Sequence, residues 1–70
     1  MNGNRLLGKI KENQMTIGSV AEAIGISLSA FRRKIYGESD FTRDEIMQLA
    51  DLLHLTDAEV LEIFFDRVVS

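Results

Sequence analysis

Residues 27–37 read Ser-Leu-Ser-Ala-Phe-Arg-Arg-Lys-Ile-Tyr-Gly and set three cations in a row, Arg32, Arg33 and Lys34, in a 70-residue chain of formal net charge −3. Cations beside the hydroxyls of Ser29 and Tyr36 are suited to binding anions. An ammonium meets a phosphate as a point charge, whereas the planar guanidinium fork also matches O6 and N7 of guanine in a DNA major groove. At about 100° per residue of helix, Phe31 and Ile35 mark one side, with Leu28 near it. Ser29, Arg32, Arg33 and Tyr36 fall on the other side, and Lys34 on the flank. Arg33 lies nearly opposite Phe31 and Ile35. A solvated helix face can carry the same charges, so the chemistry depends on what holds this helix.

Other chemistries find little support. Cysteine is absent and His54 is the single histidine, so neither a disulfide nor a zinc site can be assembled. Asp57, Glu59, Glu62 and Asp66 lack a calcium-loop pattern. No Ser, His and acid grouping marks a nucleophile, and no glycine-rich loop marks a nucleotide. No enzyme activity, cofactor, metal or small-molecule substrate is expected. Met15 and Met47 read as core fillers, and His54 as a residue in the last turn of the fourth helix. No apolar run approaches the roughly 18 residues of a membrane span, so no membrane partner is expected. The start of the chain lacks a secretory apolar region, which points to the cytoplasm.

Charge is divided along the chain. Residues 1–37 hold six basic side chains against two acidic, and residues 38–70 hold two against nine. Such asymmetry hints at nucleic acid on the basic side.

The elements that position the cations are legible from their ends. Phe41-Thr42-Arg43-Asp44-Glu45-Ile46 combines a hydrophobic staple with a capping box, and Leu55-Thr56-Asp57-Ala58-Glu59-Val60 repeats the device. These predict helices over about 43–54 and 57–68. Leu6, Leu7 and Ile10 predict a helix over about 5–13, started by Asn4. Thr16 caps a second helix with Val20, Ala21 and Ile24 inward, and Gly25 follows it. Ser27 caps a third, which Gly37 ends. No period-two alternation suggests a strand. The expectation is an all-α chain, one domain over 1–70, built as a compact bundle of five short helices in which the second and third have helix-turn-helix spacing.

At Met-Thr-Ile-Gly-Ser-Val-Ala-Glu-Ala-Ile-Gly-Ile-Ser-Leu-Ser-Ala-Phe-Arg-Arg-Lys-Ile-Tyr-Gly, residues 15–37, the chain resembles the helix-turn-helix of the phage Cro and repressor family. The matching positions are Thr16, Ala21 at the crossing, Gly25 in the turn, Ile26, Ser27, Phe31 and Gly37. The Phe41-Thr42-x-x-Glu45 start, Ala50 to Thr56 and Glu62 to Phe65 extend the likeness to small prophage Cro-like regulators. The resemblance implies a lambda repressor-like fold and a sequence-specific regulator that binds a double-stranded DNA operator, with residues 28–36 as recognition helix. Leu28, Ser29, Arg32 and Arg33 are then the base-reading candidates, with Arg33 deepest and Arg32 also able to lean toward a phosphate. Thr16, Ser27, Lys34, Tyr36 and Arg43 are the phosphate candidates. Two positions differ from the family's habit: Ile17 stands where a phosphate-anchoring Gln is common, and the loop Glu38-Ser39-Asp40 is acidic. These differences support an alternative, a non-enzymatic modulator that pairs with a repressor protein through the acidic half.

The fifth helix suggests self-association. Val60, Leu61, Ile63, Phe64, Phe65, Val68 and Val69 spread over an arc of roughly 240°, wider than one buried face needs. Leu61, Phe65 and Val68 are the expected homodimer contacts, provided the helix continues past Asp66.

Overall fold

The computed structural model describes residues 1–66. Their regular elements are α1 (Gly3–Glu12), α2 (Ile17–Ala23), α3 (Leu28–Ile35), α4 (Arg43–Leu52) and α5 (Asp57–Phe64), an all-α arrangement in the predicted order.

Local side-chain chemistry starts each helix. Thr16, Thr42 and Thr56 accept the N–H of Ser19, Glu45 and Glu59, whose side chains accept the threonine N–H in return. Two donors that a helix start leaves unpaired are thereby satisfied three times over. Ser27 caps α3 by accepting from Ala30 N–H at 3.1 Å. For α1 the cap is Asn2, which accepts from Arg5 N–H at 3.2 Å, and not Asn4. The helix begins two residues earlier than predicted because Asn2 is also tied by its own N–H to the Ile63 carbonyl at 2.7 Å.

Four helices end in the same way. Gln14, Gly25, Gly37 and His54 take φ of 57, 78, 84 and 55°. The next residue then returns its N–H to a carbonyl five positions back: Met15 to Ile10, Ile26 to Ala21, Glu38 to Arg33 and Leu55 to Ala50. This left-handed closure satisfies the last carbonyls and reverses the chain within a few residues. Met15, Ile26 and Leu55 fold back against the core as a result. His54 is therefore the turn residue beyond α4 and not a member of its last turn. α5 stops at Phe64, with Phe65 as its C-cap and Asp66 at φ 51°. The expected helix to residue 68 is corrected accordingly, and Val68 and Val69 lie outside the described residues.

The core draws on every helix: Leu6 and Ile10, Val20 and Ala21, Phe31 and Ile35, Leu49, Ile63, with Ile24 and Leu53 at the ends of α2 and α4. Phe41 bridges it to the surface, meeting Phe31 and Phe64 edge-on at centroid distances of 5.8 and 5.5 Å, the arrangement aromatic quadrupoles favour. Met15 packs on this core. Met47 does not; it is 61% exposed, since it lies on the face of α4 turned away from Leu49 and Leu53.

Candidate nucleic-acid interface

α2 and α3 are the most closely associated helix pair, and the turn between them fixes their relation. Gly25 turns the chain, the Ile26 N–H binds the Ala21 carbonyl at 3.0 Å, and Ser27 at once starts α3. Ala21 and Phe31 are 1% and 0% exposed, so α2 and α3 each commit a side chain to the common core. Sealing Phe31 and Ile35 inward commits the opposite side of α3 to solvent.

That side carries the candidate residues. Ser29, Arg32 and Arg33 are exposed, and Leu28 is 41% exposed, a surface residue and not part of the core. Tyr36, the C-cap of α3, is 68% exposed. Thr16, Ser27 and Arg43 are exposed as well. The Thr16 and Ser27 oxygens each accept a capping N–H, which leaves the hydroxyl proton of each able to donate outward. Arg43 opens α4, where the helix dipole gives a cation no help.

Lys34 departs from the expectation. Its ammonium turns away from the exposed face to the Glu45 carboxylate on α4, Nζ to Oε1 2.5 Å, with both side chains largely buried at 14% and 12% exposure. It also lies 5.9 Å from the centre of the Phe41 ring. Glu45 Oε1 simultaneously accepts the Thr42 N–H at 2.9 Å. Burial by itself would raise the Glu45 pKa, but the Lys34 and Thr42 hydrogen bonds outweigh it and hold the carboxyl below its ordinary value. A lysine so engaged is poorly placed to meet a phosphate. The sequence identified Glu45 only as a capping residue; its pairing across eleven residues leaves no local signature.

Two further cations of the basic half, Arg5 and Lys9, are paired with carboxylates of the acidic half. Arg5 of α1 meets Glu62 at 3.0 Å and Glu59 at 3.9 Å, while Lys9 meets Glu59 at 2.6 Å and Glu12 at 3.0 Å. The Lys9 bond, aided by the Thr56 N–H, lowers the Glu59 carboxyl to about 2, and the Lys9 ammonium is raised in turn by Glu59 and Glu12. Among the described residues, the cations without an ion pair are Lys11, Arg32, Arg33 and Arg43. Lys11, which the sequence did not single out, lines a groove between α1 and α2 together with Thr16. The acidic residues Glu38 and Asp40 stand exposed in the loop after α3.

At the far end of α5, Leu61 is half-buried and Phe65 is 54% exposed. Phe65 borders a cavity of about 240 Å³ lined also by Phe41, Ile46 and Phe64. Among the described residues no acidic or histidine cluster could hold a metal ion, and no helix is long and apolar enough to cross a membrane.

No curated protein and no solved structure matches the chain. The family model described as the Cro/C1-type HTH DNA-binding domain matches residues 5–66, which takes in all of α2 to α5 and most of α1. With its capped α2, its Gly25 turn and the exposed basic face of α3, the chain belongs to the family of Cro/C1-type helix-turn-helix DNA-binding domains.

Proposed function

We infer that this DNA-binding regulator is sequence-specific and of the Cro-like kind that phages and prophages use as repressors, with α3 entering the major groove of an operator. The observation that carries this reading is the pair Arg32 and Arg33, exposed and without an ion pair among the described residues, on a helix whose opposite face is sealed into the core. Arg33 reads a guanine edge, Ser29 and Leu28 meet the neighbouring base pair, and Arg32 serves either a base or the groove wall. Thr16, Ser27, Tyr36, Arg43 and Lys11 supply the phosphate contacts that fix register. The carboxylates of α4 and α5 do not forbid this, because salt limits their reach to about 8–10 Å.

α5 ends at Phe64, so the wide apolar arc no longer argues for self-association. Two copies related by a two-fold axis could still meet through Leu61 and Phe65, bringing two recognition helices about 34 Å apart on one face of the duplex. The exposed Phe65 beside an aromatic-lined cavity favours this homodimer, since an isologous interface needs a knob and a hole on one surface. Selection from a random duplex pool, followed by fluorescence titration of the enriched sequence against random duplex near 150 mM salt, tests the DNA reading. Preference by about 10³-fold or more is expected. No preference would favour the protein-binding modulator, for which the exposed Asp44, Asp51 and Asp57 of the acidic half would be the surface. Sedimentation of the protein alone and with the enriched duplex tests the dimer.

A further inference from the structure

We propose that Lys34 and Glu45 are positioning residues for DNA reading: their ion pair sets the angle at which α3 presents Arg32 and Arg33. The inference rests on the DNA-reading role given above. Every other ion pair between helices joins α1 to α5 among the described residues, so the Lys34–Glu45 pair is the charged tie on the recognition helix. It acts at the C-terminal end of α3, beside Ile35, whose carbonyl Gly3 of α1 approaches closely. α3 packs chiefly on α2, its N-terminal end is held by the Gly25 turn, and its C-terminal end leads into the exposed stretch 36–40.

The pair is also rigid in a way a surface pair is not. The Glu45 carboxylate is held at the start of α4 by the Thr42 N–H, and the Lys34 ammonium lies against that carboxylate and 5.9 Å from the centre of the Phe41 ring. Phe41 in turn is wedged edge-on between Phe31 and Phe64. Lys34 directly follows Arg33, so a rotation of α3 that relaxed the pair would sweep both guanidinium groups across the groove. Partly buried ion pairs often contribute little net stability, and fixing one arrangement is their best-attested use.

Two substitutions separate this role from a phosphate contact. Lys34→Met removes the cation but keeps an unbranched stem; Glu45→Gln removes the anion while a glutamine can still complete the capping box. Both should lower the preference for the selected duplex over random duplex by about tenfold or more, the worth of one misread base pair. Lys34→Met should leave the salt dependence of random-duplex binding unchanged, and Lys34→Arg should restore most of the preference. In the DNA-free proteins, Lys34→Met and Glu45→Gln should displace the α3 amide resonances from Leu28 to Ile35 in the same pattern. A salt slope reduced by about one with preference intact would make Lys34 a phosphate contact and overturn the proposal. Unmoved α3 resonances would overturn it whether or not the wild-type protein selects a duplex, whereas displaced resonances in a protein that selects none would count against the DNA reading alone.

Discussion

Gly25→Ala isolates the backbone cost of the turn on which the interface depends. Gly25 sits at φ +78°, and a methyl group built there meets no atom within 4 Å, so sterics with neighbours contribute nothing. What remains is the left-handed conformation, which costs an L-residue about 1–2 kcal/mol. Against it stands the lower entropy of the unfolded alanine chain, about 0.4–1 kcal/mol in favour of the substitution. The net loss is about 1 kcal/mol, a substantial part of the 3–5 kcal/mol or so that a core this small supplies. Urea unfolding followed by circular dichroism should show it as a lower midpoint at constant slope, and thermal melting as a drop of about 4–8 °C. His54→Gly is the mirror experiment, because His54 adopts φ 55° with a side chain present. The same two magnitudes then act with opposite sign, and stability should rise by about 1 kcal/mol. If Gly25→Ala were neutral or His54→Gly destabilising, the left-handed closures would not be what ends these helices.

Other consequences can be checked as directly. Arg33→Ala should cost about 1–3 kcal/mol on the selected duplex and relax preference at one base pair, while Arg43→Ala should weaken selected and random duplexes alike and lower the salt slope by about one; titrations at several salt concentrations measure both. Gly3→Ala would place Cβ 2.6 Å from the Ile35 carbonyl oxygen, a backbone atom that cannot swing aside, and should destabilise by about 1–3 kcal/mol in the same urea assay. Acid should act through Glu59, whose carboxyl lies at about 2 in the folded protein instead of 4.5 because of Lys9 and the Thr56 N–H. A carboxylate lowered on folding stabilises fully above its unfolded value, and that stabilisation is lost as pH falls from about 4.5 toward 2. Glu59→Gln should therefore flatten the fall of melting temperature over that range, and an unchanged profile would remove Glu59 from the account.

Helix number and order, and the starts of α2 to α5, were legible in the sequence because the starts depend on residues three or four apart. Thr42 with Glu45, Thr56 with Glu59 and Ser27 before an apolar series carry their own hydrogen-bond logic, and Gly25 and Gly37 supply the conformation that a helix end requires. The exposed face of α3 followed from the same local arithmetic, since placing Phe31 and Ile35 inward dictates where Arg32 and Arg33 point. Where reading stopped, the deciding partner was remote. Asn2 displaced Asn4 as the first cap alongside a hydrogen bond to Ile63, and α5 ended at Phe64 although its apolar pattern ran on. Lys34 and Arg33 are neighbours of equal charge in the sequence, and only the approach of α4 turned one inward to Glu45 and left the other to solvent. Likewise α5 carboxylates neutralised Arg5 and Lys9, so the basic surface left for DNA is smaller than the composition of the first half suggests. Short-range hydrogen bonds are written in adjacent residues, whereas the pairing of charges depends on which helices the core brings together.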